Sequence, residues 1–565
     1  MQVWRANLRR QTVTQEDIPD SWIGLGGRGL IARILLDEVN PECDPLGADN
    51  RLVFAPGLLV GHMLSSCDRI SIGGKSPLTR GVKESNAGGS TGMQMARLGI
   101  KVLIIEDRPV DDRWWILYLS PKEARFDAAD GLVGLGVYES ARQLIHRYGD
   151  KVALSLIGVG GERGLLAAGI QNLDKDRVPS RIAARGGLGA VMGSKRLKAI
   201  IFDGVEGEKP PIFNPEAFKA AQKEFNQALM NHPQTHINRD YGTAAMPGMS
   251  NGFGGLPTRN FSRGRFEEVE KISGETMREL LLKRGGESQT THACMAGCTI
   301  RCSNSYAGED GKTIVSPLEY ETIGLLGPNL EISDLDQIAR MCREINDLGL
   351  DSIEIGAALG VAAEAGLLKF GDGGQALKLI QDIWRGTPEG LMLGNGAVNT
   401  GRILGVAHVP AVKGQAMSAY EPRAIKGTGV TYATSPQGAD HTAGLTIRAK
   451  VDHLDPSIQV DLSRKAQVNM AGYDSLGACV FAGNGFAAAP ETIRDLLNSR
   501  YNWQVSTDIL QQLGKETLRL EREFNRRAGF TSKDDRLPEW MKHESLPPNN
   551  SVFDVSDHEL DHIFD

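Results

Sequence analysis

The 565 residues predict an α+β chain, with a β-rich N-terminal part and a mainly helical remainder. Three observations predict it. Short β-branched runs bounded by turn residues recur before about residue 205. Lys209-Pro210-Pro211 then punctuates a change of character. Beyond it, apolar residues recur at helical spacing. The predicted division is a β-rich unit over 1–207, a helical unit over 208–415 and a second helical unit over 416–565.

Ile100-Lys101-Val102-Leu103-Ile104-Ile105 and Ala199-Ile200-Ile201-Phe202 read as short buried strands. The first helix is expected over 215–230. A second is expected over 333–348, with Ser333 and Asp336 in N-cap and capping-box positions and Gly349 as its stop. Ile338, Met341, Cys342 and Ile345 fall on its apolar face, and Asp351 opens a third helix. The stretch from about 420 to Pro456 reads as loop, with helices resuming at Glu491. An amphipathic helix over 507–527 ends before Gly529 and exposes Arg522, Arg526 and Arg527. The polar, acidic residues after about 540 are expected to pack poorly. No solenoid-type repeat is visible.

Composition narrows the class. Apolar residues at 41% and charged ones at 24% suit a folded globular chain and exclude a disordered scaffold. The longest apolar runs, such as Leu52 to Val60, fall far short of a membrane span. A net charge of -7 argues against a nucleic-acid partner. Seven cysteines in so long a chain point away from a disulfide framework and toward the reducing cytoplasm. Arg9-Arg10 precedes no apolar segment, so it is not read as an export signal. Glycine, at 67 residues, is in excess, which fits tight turns and close backbone approach.

Two glycine motifs look like nucleotide sites and are read otherwise. Gly24-Leu25-Gly26-Gly27-Arg28-Gly29 matches G-x-G-x-x-G, but Ile18 to Trp22 before it makes a poor strand, so a turn into a helix is the better reading. Gly186 to Lys195 fails P-loop spacing, although Arg185, Lys195 and Lys198 with that turn could cradle another phosphate.

The cysteines carry more. Cys294, Cys298 and Cys302 lie within nine residues, and Cys479 lies far along the chain. Three clustered thiolates plus a remote one favour a [4Fe–4S] cube. Zinc is the rival, though structural zinc more often shows paired C-x-x-C; ordinary buried thiols are the third alternative. Cys43, Cys67 and Cys342 are expected to be inert core thiols. Around Cys479 the chain reads D-S-L-G-A-C, and from Asn346 to Asp351 it reads N-D-L-G-L-D. These near-copies are either two unrelated helix ends or two equivalent halves of one ligand site.

Together these residues resemble the aldehyde:ferredoxin oxidoreductase family of tungsten enzymes, with related molybdenum members. The resemblance runs from about Trp22 to about Pro538. It includes Arg69, Lys75-Ser76-Pro77-Leu78-Thr79, Ser85-Asn86-Ala87-Gly88-Gly89 and Arg185 to Lys195. It implies a β-rich saddle carrying a bis-pterin tungsten (or molybdenum) cofactor, covered by two helical domains. By resemblance, Arg69, Asn86, Gly88, Arg181, Ile182 and Ala184 line the pterin phosphates. The carbonyls of Asn86 and Ile182 hold a bridging Mg2+. Asn346, Asp351 and Asp474 grip the pterin rings, and Cys294, Cys298, Cys302 and Cys479 bind the cluster.

Glu321 and His441 match the family's catalytic pair; singly, neither would draw notice. The implied reaction is oxidation of an aldehyde to a carboxylic acid. Its electrons leave through the cluster to ferredoxin or to an iron–sulfur or flavin partner subunit. Reduction of an aryl-CoA of the benzoyl-CoA type is the alternative on the same scaffold, and a non-catalytic electron-transfer subunit the alternative of another class. Departures from the pattern are the C-x3-C-x3-C spacing, Asn346 in place of aspartate, and Arg340 and Arg343 where some members carry E-x-x-H. The last predicts no interface iron site, whatever the oligomeric state.

Overall fold

The computed structural model describes all 565 residues. Strands β1 (Gln2–Asn7), β2 (Thr12–Glu16), β3 (Leu52–Pro56), β4 (Ile70–Lys75), β5 (Val82–Ala87) and β6 (Ile100–Glu106) form one six-stranded sheet, in the order β2-β1-β6-β3-β4-β5. Strands β7 (Trp115–Leu119), β8 (Ala124–Ala128), β9 (Ala153–Leu156), β10 (Ile170–Asn172), β11 (Arg181–Ala183) and β12 (Leu197–Phe202) form a second, ordered β11-β10-β9-β12-β7-β8. Read backwards, the second order is the first with every strand advanced by six. Directions agree as well: β1 with β6 and β7 with β12 are the parallel pairs, and every other pair is antiparallel. The N-terminal part is therefore a duplicated unit, a relationship that the sequence reading missed.

The duplication positions the site. In the β4–β5 pair Asn86 stands opposite Ser71, and in the β10–β11 pair Ile182 stands opposite Gln171. Asn86 and Ile182 thus occupy equivalent places in the two halves. One apolar cluster, including Phe54, Ile72, Leu103, Leu117, Leu154 and Phe202, ties the sheets together. On the other face of the first sheet, helix Gly27–Glu38 buries Leu30, Ile31, Ile34 and Leu35 against Val53 and Ile104. Each such side chain contributes about 1.5–3 kcal/mol.

The helical remainder forms largely where the spacing predicts. Helix Pro215–Asn231 starts on an Asn214 cap, and helix Leu335–Leu348 stops at Gly349, whose φ is +73°. One cap is corrected: Asp334, not Ser333, accepts from Asp336 N at 2.8 Å, while Ser333 donates to Glu268. Several helices escaped the reading, two of them just before Glu491, where helices were expected to resume. In Lys426–Thr434 every residue is buried, so no two-sided pattern exists to find. Gln459–Leu476 packs on three other helices at once, Gly27–Glu38, Lys426–Thr434 and Ile509–Arg527.

The C-terminal expectation is also corrected. Leu546, Phe553, Val555, Leu560 and Ile563 are all buried in the largest apolar cluster, alongside Leu359, Tyr420 and Val430. These apolar anchors hold a segment whose average composition is polar. That same cluster runs from Val159 to Ile563 and is continuous across residue 415.

Candidate functional site

The near-copies of sequence are a pair in space. Helix Leu335–Leu348 ends at Gly349 and helix Gln459–Leu476 at Gly477, both glycines left-handed, with φ of +73° and +77°. Gly477 O accepts from Arg69 N at 3.1 Å, and Gly349 O from Gly169 N at 2.9 Å. Two residues on, Cys479 N donates to Ser66 O and Asp351 N to Ala167 O, both at 2.8 Å. A Cβ on Gly57 would overlap the Leu476–Gly477 backbone, and one on Gly158 would overlap Leu348. Each half of the duplicated unit thus receives one helix end at an equivalent backbone socket. Gly26 and Gly27 belong to the first socket too, since a Cβ on Gly27 would overlap Asp474 O. Their motif does begin a helix, and it also admits a neighbouring backbone.

Buried charges line the ground between the helix ends. Asp474 accepts from Arg28 at 3.2 Å and from Asn86 Nδ2 at 2.8 Å, and Arg28 also pairs with Glu521 at 2.8 Å. Burial pushes the Asp474 carboxyl up to about 6 against the pull of Arg28. Asp351 caps its helix through Ile353 N and takes Arg185 Nε at 3.3 Å. Asn346 Nδ2 reaches only Cys342 Sγ, at 3.6 Å. Arg69 pairs with no carboxylate and spends its donors on the side chain and carbonyl of Asn86. Arg181 contacts His292, Ser303 and, at 4.0 Å, Glu319, and its Nε has no partner. Gln171 Oε1, from the strand position equivalent to Ser71, is likewise buried without a partner.

The suggested cradle of Arg185, Lys195 and Lys198 is overturned. Lys195 Nζ donates to Asn50 O and Asp107 O, and Lys198 pairs with Glu162; both are fully buried and already partnered. Only Arg185 faces the helix ends.

Glu321 and His441 come together from opposite parts of the chain. Glu321 lies in the first turn of helix Tyr320–Leu326, and His441 follows the buried Asp440. His441 Nε2 lies 3.3 Å from Glu321 Oε1, and Tyr420 donates its hydroxyl to the same oxygen at 3.2 Å. His441 Nδ1 lies 3.7 Å from Asp440 Oδ1 and is otherwise unpartnered. Burial alone would raise the Asp440 carboxyl; Lys83, at 2.5 Å, and Arg185 overrule it and hold it far below the ordinary range. Burial likewise raises Glu319, whose carboxylate accepts from Thr243 at 2.5 Å.

All four expected cluster cysteines are free and half-buried, and each thiol's ionisation is shifted by at least one other of the set. Ser66 Oγ lies 3.3 Å from Cys298 Sγ, and a Cβ on Gly88 would come within 3.1 Å of Cys294 Sγ. The loop bearing Ser66 thus ties the 294–302 segment to Cys479. No three His, Cys, Asp or Glu side chains converge on one ion position. The unpartnered Nε of Arg181, the absence of any carboxylate on Arg69 and the four thiols fit a phosphate-bearing cofactor beside a cluster. Cys43, Cys67 and Cys342 are buried as expected.

Sequence reasoning did not find Arg28, Lys83, Tyr420 or Asp440. All four are buried and polar, and only the glycine run beside Arg28 gave a signal.

A duplicated β unit that receives two helix ends, with a half-buried acid–imidazole pair and four free thiols, is the scaffold of a redox enzyme. The family is then plain from comparison. The chain matches the model of the aldehyde ferredoxin oxidoreductase N-terminal domain over residues 3–204, and that of domains 2 and 3 over 220–564. It belongs to this family and is an oxidoreductase of that type. Tungsten-containing aldehyde ferredoxin oxidoreductases of Pyrococcus abyssi and Thermococcus kodakarensis are each 31% identical to it, over 96% and 94% of this chain and 92% and 89% of theirs. The WOR-like subunit of a Pyrococcus furiosus aliphatic sulfonate oxidoreductase is 29% identical over 79% of this chain and 75% of its own. The active-site complex BamBC of benzoyl coenzyme A reductase, solved with 1,5-dienoyl-CoA, shares the fold, with a TM-score of 0.79 at 19% identity over 95% of this chain and 90% of that one. No helix is long and apolar enough to cross a membrane.

Proposed function

We propose that the chain oxidises an aldehyde, with water, to a carboxylic acid and releases two electrons and two protons. One observation carries the reading: Glu321 and His441 share a hydrogen-bonded group with Tyr420, beside Asp440 and the helix-end sockets. The tungsten in the relatives' names supports a bis-pterin tungsten cofactor. Arg69, Asn86, Gly88, Arg181, Ile182 and Ala184 would hold its phosphates, with Mg2+ on the Asn86 and Ile182 carbonyls. Asn346, Asp351 and Asp474 would hold its rings. Cys294, Cys298, Cys302 and Cys479 would hold a [4Fe–4S] cluster. When bound, these groups supply a two-electron acceptor and a one-electron relay to ferredoxin or a partner subunit.

The chain's own part is proton chemistry and alignment. Glu321 takes the proton from the water that adds to the carbonyl carbon. His441 Nε2, 3.3 Å away, receives that proton from Glu321 and carries it out of the site. Tyr420 holds the carboxylate in place. Seven free cysteines suit the cytoplasm as its workplace.

The test is an anaerobic preparation assayed with aldehydes and a viologen dye, with metals measured alongside. About four irons and one tungsten per chain, with aldehyde-dependent dye reduction, are expected. Glu321→Gln should lose turnover by about a hundredfold or more while keeping its metals. Zinc alone, or reduction of an aryl-CoA without aldehyde oxidation, overturns the reading.

A further inference from the structure

Arg448 is the cation near the catalytic group that the reaction leaves unused. It follows His441 by seven residues and is half-buried. Its Nη2 has only an amide oxygen, Asn238 Oδ1, and a thioether, Met246 Sδ, each at 3.4 Å. No carboxylate pairs with it, and the one titratable group that acts on it is the Tyr420 phenol, which burial keeps protonated. Burial lowers the guanidinium's pKa, and the Tyr420 phenol feels Arg448 in return. Tyr420 is the residue that donates to Glu321 at 3.2 Å.

The surroundings fix the guanidinium in place. Asn238 is fully buried, and its Oδ1 also accepts from Gln234 Nε2 at 3.3 Å, which settles the amide orientation. The Phe481 ring lies 5.8 Å from the guanidinium carbon. Met246 begins the helix Met246–Gly252, whose Ser250 takes the Tyr320 hydroxyl at 2.7 Å. Thr243, three residues earlier, holds Glu319 and the Tyr320 N–H. Arg448 therefore bridges two walls of the catalytic group, the 233–252 segment and the loop bearing His441. A guanidinium offers five donors in a rigid fork matched to an oxyanion, and this one has two weak acceptors.

We propose that Arg448 is a specificity residue that binds a carboxylate at the far end of the substrate, so that the preferred substrates are aldehydes bearing a remote carboxylate. The inference rests on the aldehyde-oxidation reading above, and Asn238 acts as the positioning residue. The pair to compare on the holoenzyme is 4-formylbenzoate against 4-methylbenzaldehyde, with 5-oxopentanoate against pentanal as a flexible pair. The ratio of kcat/KM, charged over neutral, should exceed about tenfold in the parent enzyme. It should fall by about tenfold or more in Arg448→Gln, and in part in Arg448→Lys, which keeps the charge but not the fork. Binding of benzene-1,4-dicarboxylate to the holoenzyme, measured by calorimetry, should weaken by a similar factor in Arg448→Gln. No preference in the parent enzyme, or a ratio untouched by the substitution, overturns the proposal. If no aldehyde is oxidised at all, the reading above fails. The dicarboxylate binding then decides for Arg448 alone: its loss in the variant sustains the oxyanion site, and equal binding in both removes it.

Discussion

Tyr420 shows how much one buried side chain decides at this site. Its hydroxyl donates to a Glu321 oxygen that His441 also approaches, so the carboxylate is held from two sides. A hydrogen bond to a charged group is worth about 1.5–3 kcal/mol. Tyr420→Phe removes the donor and keeps the ring packed 5.2 Å from Tyr320. We expect kcat to fall about ten- to a hundredfold with KM within about twofold, because alignment and not substrate binding is lost. Equal losses in kcat and thermal stability would instead make Tyr420 a packing residue. Neither this tyrosine nor Arg28 was visible beforehand, since a polar residue's burial depends on partners hundreds of positions away. Arg28 and Glu521 are the plainest case. Glu321 and His441 were legible only through the family resemblance, because an isolated acid or imidazole carries no pattern of its own.

At the scale of elements, the two helix ends make a controlled comparison. Gly57 and Gly158 admit the backbones of Gly477 and Leu348 at equivalent sockets, and a Cβ would overlap backbone in both. Gly57→Ala and Gly158→Ala should each destabilise by about 1–3 kcal/mol, the common cost of overpacking. Their effects on metal should differ. Cys479 lies two residues beyond Gly477, whereas Asp351 occupies that place in the other half. Iron content should therefore drop in Gly57→Ala and hold in Gly158→Ala, measured by elemental analysis beside melting curves. Equal iron in both would separate Cys479 from the cluster. The glycine-stopped ends were legible because the left-handed φ selects glycine, and the repeated pattern of Asn or Asp, two residues and glycine marks it. The duplicated sheets were not, because sheet order is set by non-local pairing and leaves no short-range periodicity. Lys426–Thr434 stayed hidden for another reason: a helix buried all round shows no apolar stripe.

At the scale of the whole molecule, the C-terminal segment closes the helical half through apolar anchors, ion pairs such as Lys426–Asp554, and a histidine clamp that titrates near neutral pH. His408 Nδ1 lies 2.7 Å from Glu364 Oε1, and Nε2 lies 2.8 Å from Glu544 Oε1, so the imidazole joins the end of helix Ser352–Glu364 to the tail. Arg423 donates to Glu544 O at 3.0 Å, Asn260 donates to His408 O at 3.0 Å, and the Trp540 ring lies 5.3 Å away. Burial lowers the His408 pKa, but Glu544 and Glu364 outweigh it and the net shift is upward from 6.5. A raised folded value means that the native state binds the proton more tightly. The clamp's stabilisation is therefore complete below about pH 6.5 and is lost as pH climbs through the raised value. Amide exchange across 539–555, corrected for intrinsic rates, should be slower at pH 6 than at pH 8.5. In His408→Gln the two protection levels should coincide, because the amide keeps hydrogen bonding but not the charge. Protection in the parent enzyme that does not change between those pH values would assign the tail's hold to groups that do not titrate there, the anchors Leu546, Phe553 and Leu560 and the ion pairs Lys426–Asp554 and Arg536–Asp561.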